Sequence, residues 1–592
     1  MIGLMRWARP LSSQSRFHDP EDHRLMENES NVDINHQTGL PVLDGESGED
    51  ELAFRHLRGV DTVDLFYDLL VVASLATVTA RSEIFDAATL KAYLCFFTLL
   101  WVTWLQSTLF GIRCPADSRF RHVHKAISWI TMTVFVVCTM TYDIIHIPST
   151  IQGFKALSSI LITSRLILAT QYIIVLWNAS NQEISRLPLI YSIGSMMVSA
   201  MAFLLIFWGL GENSGCYLAW YGVCVAEATS IIGIFTKWRM TSANTAHLVE
   251  RLGLLTVVIM AKGVLSLSRT TYKLFDTVKW PLADNLGELV CSMLLMYFIF
   301  MLYFNHAEND RFAWTSQRIW TILHYPLHVA ILVMMEDCSF LILSRVINQI
   351  SGAWQALHPL HDFSDLRTFF EGYISSREVA SDLLDDIDSL FNIAFRNRTR
   401  LLNLYNYTEQ IEEIKHIAQP FNSFQWQLEA GTRIDRLWNE AENAIASVFG
   451  VNGLQPLDHR SSAAYQRPAT DELCSYFYLS AGSLLLILAL MSLVSKKDHE
   501  QSRWLSIWAN IVIGLAFLLP VSSIWVNSGT VEAFYSTRWT VVLVVFGYFT
   551  VALSHDLARR TQDRQNCQGQ SEREDTVTQL LEKGVHCGGS YA

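Results

Sequence analysis

Charge is scarce in this sequence. Asp, Glu, Lys and Arg make up only 17% of its 592 residues, against 51% hydrophobic, and the mean hydropathy is +0.23. A soluble domain this apolar would need an outsized core. Basic blocks are missing, which argues against a nucleic-acid partner. The ten cysteines are scattered with no CxxC pair, so a zinc or dithiol site is not expected. Cys216 and Cys474 could pair or remain separate thiols. No Ser-His-Asp order, HExxH, Walker loop or GxGxxG stands in a supporting context. Neither an enzyme nor a cofactor is therefore expected.

What the sequence does hold is a series of apolar runs of about 20 residues, the length that crosses a bilayer. Hydropathy gives twelve spans, near 61–80, 87–110, 124–146, 153–177, 188–211, 215–236, 247–268, 285–304, 319–345, 473–494, 503–527 and 535–555. In lipid, segments of this kind satisfy their backbone groups only as helices. The fold class is all-α, a polytopic membrane bundle of about twelve spans with an extramembrane helical insert. Residues 1–55 and 556–592 read as polar cytosolic tails, the first disordered and without the apolar core of a signal peptide. Residues 56–345 hold spans one to nine, 346–472 the insert, and 473–555 the last three spans.

Basic residues set the orientation. Arg113, Arg119, Arg121, Lys125, Lys237, Arg239, Lys496 and Lys497 fall in one set of loops, and Arg559 and Arg560 flank the last span. By the positive-inside rule both termini are cytoplasmic, in a plasma membrane or endomembrane, and the insert lies on the other side. The insert contains two Asn-x-Thr sequons, at Asn397 and Asn406, candidates for glycosylation. Apolar residues at helical spacing among its charges predict amphipathic helices. Its Asp382, Asp385, Asp386 and Asp388 could attract a cation, but they lack the spaced ligands of a calcium loop and read better as a solvated face.

The first span reads DTVDLFYDLLVVASLATVTA and carries Asp64 and Asp68 one helical turn apart on one face. Asp64, near the edge, reads equally as hydrated or inward-facing; Asp68, a turn deeper, is expected to face inward. The run VDLFYDLLVVASL resembles the opening signature of the low-temperature-requirement A family of multi-pass membrane proteins. His247, Glu250, Arg251 and Gly253 in HLVERLGLL are similar to that family's later His-x-x-Glu-Arg-x-Gly span. The resemblance covers roughly residues 55–345 and implies a multi-pass architecture. Its Gly-Glu pair deep in the later span is replaced here by Ala261 and Lys262.

Two segment pairs also line up six spans apart: Asp64 onward with Glu250 onward, and Asp117–Trp129 with Asn309–Thr321. A parallel repeat, or chance likeness of helix starts, would give this pattern. Asp68, Glu227, His247, Glu250 and Arg251 fall in the inner part of the bilayer, with Arg251 able to snorkel to headgroups. Lys262 lies about 20 Å from the inner end of its span, too deep to snorkel, and is expected to pair with Glu288 or Glu336. Asp337 sits near that level and Arg165 deeper toward the middle; His324 and His328, four apart, could relay protons, without the third ligand a metal needs. Asp64, Asp68, His247, Glu250, Lys262, Glu288 and Glu336 are thus the candidate ion or transport residues, lining one wettable space. The expected partners are the bilayer and an ion or small solute. A membrane scaffold or cold-stress protein is the competing reading.

Overall fold

The computed structural model of the chain describes residues 62–81, 87–113, 118–142, 151–178, 186–209, 217–237, 242–279, 282–307, 314–356, 370–396, 407–449, 467–494, 501–521, 539–561 and 564. Asn397, Asn406, Cys216, the amino-terminal tail and most of the carboxyl-terminal tail lie outside these residues.

Twelve helices stand where twelve spans are expected. In chain order they are α1 (Thr62–Arg81), α2 (Ala87–Arg113), α3 (Ser118–Thr141), α4 (Ile151–Asn178), α5 (Arg186–Gly209), α6 (Tyr217–Lys237), α7 (Ser242–Thr277), α8 (Leu282–Ala307) and α9 (Trp314–Ala356). The insert supplies α10 (Ser376–Ala394), α11 (Tyr407–Lys415) and α12 (Phe424–Val448). The chain then forms α13 (Arg467–Val494), α14 (Gln501–Leu518) and α15 (Trp539–Thr561). Nine of the described helices, α1–α5, α8, α9, α13 and α15, are long and apolar enough to cross a bilayer. The apolar stretches of α6 and α14 are shorter. In α7, Glu250, Arg251, Lys262 and Arg269 dilute the hydropathy. Among the described residues no strand forms; one isolated bridge joins Val278 to Phe395.

The helices carry large apolar side chains on their outer faces, including Val198, Phe546 and Ile130, as lipid contact requires. Inward faces merge into one apolar core that runs from α1 through α9 to α15 and into the insert. Close approach is built from glycine where α13 meets α14. A Cβ on Gly482 would lie 2.7 Å from the carbonyl oxygen of Gly514, and one on Gly514 would lie 3.1 Å from that of Gly482. Small residues let backbones pack where no hydrophobic force drives helices together in lipid.

Packing repeats between the halves. α1 packs on α3 as α7 packs on α9, and α4 packs on α5 as α13 packs on α14. This is the pairing a parallel repeat requires, and α1 and α7 meet at its centre.

Two helices overrun their expected spans. α7 has 36 residues and α9 has 43. At the helical rise these are about 54 and 65 Å long, against a hydrocarbon thickness of about 30 Å. The surplus is held by the insert. Lys279 donates its backbone N–H to Ala394 O at 2.9 Å, Arg396 returns one to Thr277 O at 2.9 Å, and Lys273 Nζ reaches Phe449 O at 3.3 Å. On α9, Trp354 and Trp438 stack at 4.5 Å and exchange indole-to-carbonyl hydrogen bonds of 3.2 and 3.1 Å. The insert helices are amphipathic as expected: α10 buries Val379, Leu383, Ile387, Leu390 and Phe391 on one face. Asp382, Asp385 and Asp386 sit on its exposed face, and Asp388 accepts from Tyr407 at 2.7 Å.

Candidate functional site

The bundle centre carries a ladder of ionisable side chains, set by helical spacing on α1, α2, α7 and α9. α7 runs parallel to α9, since Thr256 meets His328 and Ser266 meets Glu336. α2 runs antiparallel to α7, with Trp104 beside Arg251 and Tyr93 beside Lys262.

At the first rung Asp68 is fully buried, and its Oδ1 accepts from Arg251 Nη2 at 2.8 Å and from the Trp104 indole at 2.7 Å. The guanidinium lies 6.0 Å over the Trp104 ring, adding a cation–π contact. A carboxylate in this position needs such compensation because burying an unpaired charge is expensive. Asp64 lies one turn nearer the start of α1 and is half-buried, with Lys125 Nζ of α3 at 3.3 Å. The expectation that Arg251 snorkels to headgroups is therefore corrected. It is buried, because Asp68 offers an anion closer than the headgroups do.

Glu250 is corrected as well. Adjacent helical residues point about 100° apart, so turning Arg251 inward turns Glu250 away. Glu250 is exposed, and His247 is half-buried with Nδ1 lacking a hydrogen-bond partner. These two do not form a second site matching Asp68.

The second rung is a hydrogen-bonded chain around two fully buried histidines. The Trp101 indole donates to His328 Nδ1 at 3.2 Å, so His328 carries its proton on Nε2 and donates it to Thr256 Oγ1 at 2.8 Å. Thr256 donates onward to Leu252 O at 2.9 Å. His324 Nδ1 donates to Trp320 O at 2.8 Å, and its Nε2 shares a hydrogen bond with Tyr303 OH at 2.9 Å. His328 is neutral in this arrangement, and every nitrogen of both rings has a partner.

The third rung joins Lys262 to Glu336 in an ion pair, with Ser266 Oγ donating to Glu336 Oε2 at 3.0 Å. Lys262 Nζ also lies 5.2 Å from the Tyr93 ring centre. Gly263 lets this happen: a Cβ there would come within 2.8 Å of side-chain atoms of both Met335 and Met296. Of the two carboxylates expected for Lys262, Glu336 takes the role, while Glu288 is bound by Arg345 from farther along α9. Arg251 and Lys262 are eleven residues apart, so the ladder climbs about 16 Å.

Off the ladder, Arg165 of α4 holds Glu227 of α6 in a two-pronged pair at 2.8 and 2.9 Å, and also donates to Thr103 and Ser164. Asp337 is buried beside Glu336 on α9, and neither of its carboxylate oxygens has a hydrogen-bond partner among the described residues. Asp68, Arg251, Lys262, Glu288 and Glu336 are all buried. Among the described residues a groove of about 590 Å³ between α5 and α6 touches Glu227 but not Asp68, Lys262 or Glu336. Among the described residues no cluster of three or more His, Cys, Asp or Glu could hold a metal.

Sequence reasoning missed three partners. These are Arg345, Trp104 and Thr256. The signal was present in WVTW, where two indole donors three residues apart, Trp101 and Trp104, share a face with the acid and the imidazole they serve.

Comparison with known proteins gives one match. The sequence model described as "Bacterial low temperature requirement A protein (LtrA)" matches residues 59–360, just over half of the 592 residues. No curated protein and no solved structure matches the chain. The match takes in α1 to α9 and therefore all three rungs. An integral membrane bundle with Asp68 of its opening span locked to Arg251 of its seventh, this chain belongs to the low temperature requirement A family.

Proposed function

We propose that this membrane protein is a transporter or channel for an ion or small solute, held closed by its ion-pair ladder. The supporting observation is the ladder itself. Buried ion pairs add little net stability over apolar packing, and charges within lipid are costly. A fold that needed only to hold together would be served as well by leucine. Here two ion pairs stand on either side of an imidazole–hydroxyl chain, all on helices of equal or opposite polarity. Breaking Asp68–Arg251 and Lys262–Glu336 in turn would open the two ends alternately, with His328 and Thr256 between them. Asp337 would be the acid left to bind a cation or proton when the outer pair opens. On this reading both termini are cytoplasmic, the insert is extracytosolic and open to glycosylation, and the chain is not an enzyme.

Asp68→Asn should abolish flux in proteoliposomes. The double variant Asp68→Asn/Arg251→Met, which leaves no buried unpaired charge, should fold and remain inactive. A second reading, a non-transporting scaffold or stress-response protein, is favoured by the tight enclosure of every pair and by the insert's grip on α7 and α9. It predicts no flux from the wild type, and loss of function on deleting residues 357–466.

A further inference from the structure

Gln106 of α2 is out of keeping with its surroundings. It is 3% exposed, and neither Nε2 nor Oε1 of its carboxamide has a hydrogen-bond partner among the described residues. Each buried polar atom left in that condition costs about 1–3 kcal/mol. The side chain borders a pocket of about 10 Å³, together with Tyr172, Ser192 and Ser195. That pocket shares Ser195 and Ile234 with the 590 Å³ groove between α5 and α6. The groove is walled by small residues, among them Gly194, Ser199, Ala226 and Gly233, and it lies on a face whose Val198 and Val225 are exposed to the lipid side.

We propose that this groove binds a neutral bilayer lipid whose only polar group is a hydroxyl, apolar body along α5 and α6 and hydroxyl against Gln106. The volume lies within the range of small-molecule sites, about 300–1,000 Å³. The inner pocket has room for one water-sized group. A phosphate or choline headgroup is excluded by size, and a charged head by the cost of burial, since the neighbouring Glu227 is already committed to Arg165. A hydroxyl both donates and accepts, and so answers a carboxamide that offers one of each. Entry is lateral, from the lipid, through the open side of the groove.

The test uses full-length protein in nanodiscs with a photoreactive, alkyne-tagged sterol, beside the same probe with its hydroxyl capped as a methyl ether. Labelling should concentrate on residues 186–237, with the free hydroxyl preferred about fivefold, the worth of one hydrogen bond. Gln106→Leu should keep the labelling and remove the preference. Gly194→Leu and Gly233→Leu should remove the labelling. Both glycines have open space where a Cβ would go, so folded yield should be unchanged, which size-exclusion of each variant checks. Labelling spread over every lipid-facing helix, or confined to the groove without hydroxyl preference, would overturn the proposal. So would disulfide crosslinking of two Ser195→Cys copies with no sterol label, because the groove would then be a face between copies.

Discussion

Arg251→Met is the most informative single perturbation of the ladder. Asp68 is fully buried, and its Oδ1 has two donors, Arg251 at 2.8 Å and the Trp104 indole at 2.7 Å. Its Oδ2 has none. Removing the guanidinium leaves a carboxylate with a single neutral donor in a low-dielectric interior. Breaking a buried pair from one side costs about 3–5 kcal/mol, whereas replacing both partners by neutral groups is close to neutral. Asp68→Asn/Arg251→Met keeps an acceptor for Trp104 and should recover to within about 1 kcal/mol of wild type. With Asp68→Asn costing about as much as Arg251→Met, the cycle should therefore return a coupling of at least about 5 kcal/mol, above the usual range for residues in contact. Reversible unfolding of the purified protein, titrated with a denaturing detergent in mixed micelles, reads all four corners. A single variant costing less than about 1 kcal/mol, with an additive double, would show that no buried pair is formed.

Further outcomes follow from the same geometry. Trp438→Ala should cost about 3–5 kcal/mol, because it removes a stacked indole and the hydrogen bond that indole donates to Trp354 O, and hydrogen exchange should rise at the end of α9 and along α12. Gly482→Leu should collapse the α13–α14 contact and cut folded yield, while Gly194→Leu, with open space at its Cβ, should leave yield unchanged. Arg165→Lys should lower stability by about 1–3 kcal/mol although the charge is kept, since a single ammonium cannot make the two-pronged contact to Glu227; equal melting of the variant and wild type would contradict that.

How far the sequence carries depends on the kind of signal. Apolar runs locate the membrane helices because lipid punishes any interruption, and all twelve helices fall where those runs lie. Where a helix continues past the apolar run, hydropathy is silent: α7 and α9 extend to Thr277 and Ala356 because the insert binds them, which is a tertiary fact. The charged residues were legible as a set, since each is costly in lipid, but not their pairing. Glu288 had Lys262 and Arg345 within reach along the chain, and only packing decides between them. Glu250 was misassigned because a motif names residues without naming the face they turn to the core, and Arg251 took that face. Gln106 drew no notice, since one amide in an apolar helix has no sequence signature until its missing partners are seen.

The central claim, that the ladder gates passage through the bundle, is tested most directly by flux from wild-type protein in proteoliposomes, screened across protons, sodium, potassium and small solutes. The account predicts a flux for at least one of these that disappears in folded Asp68→Asn/Arg251→Met and in folded Lys262→Met/Glu336→Gln. Absence of flux from the wild type across that screen, or a flux that both folded double variants retain, would contradict it.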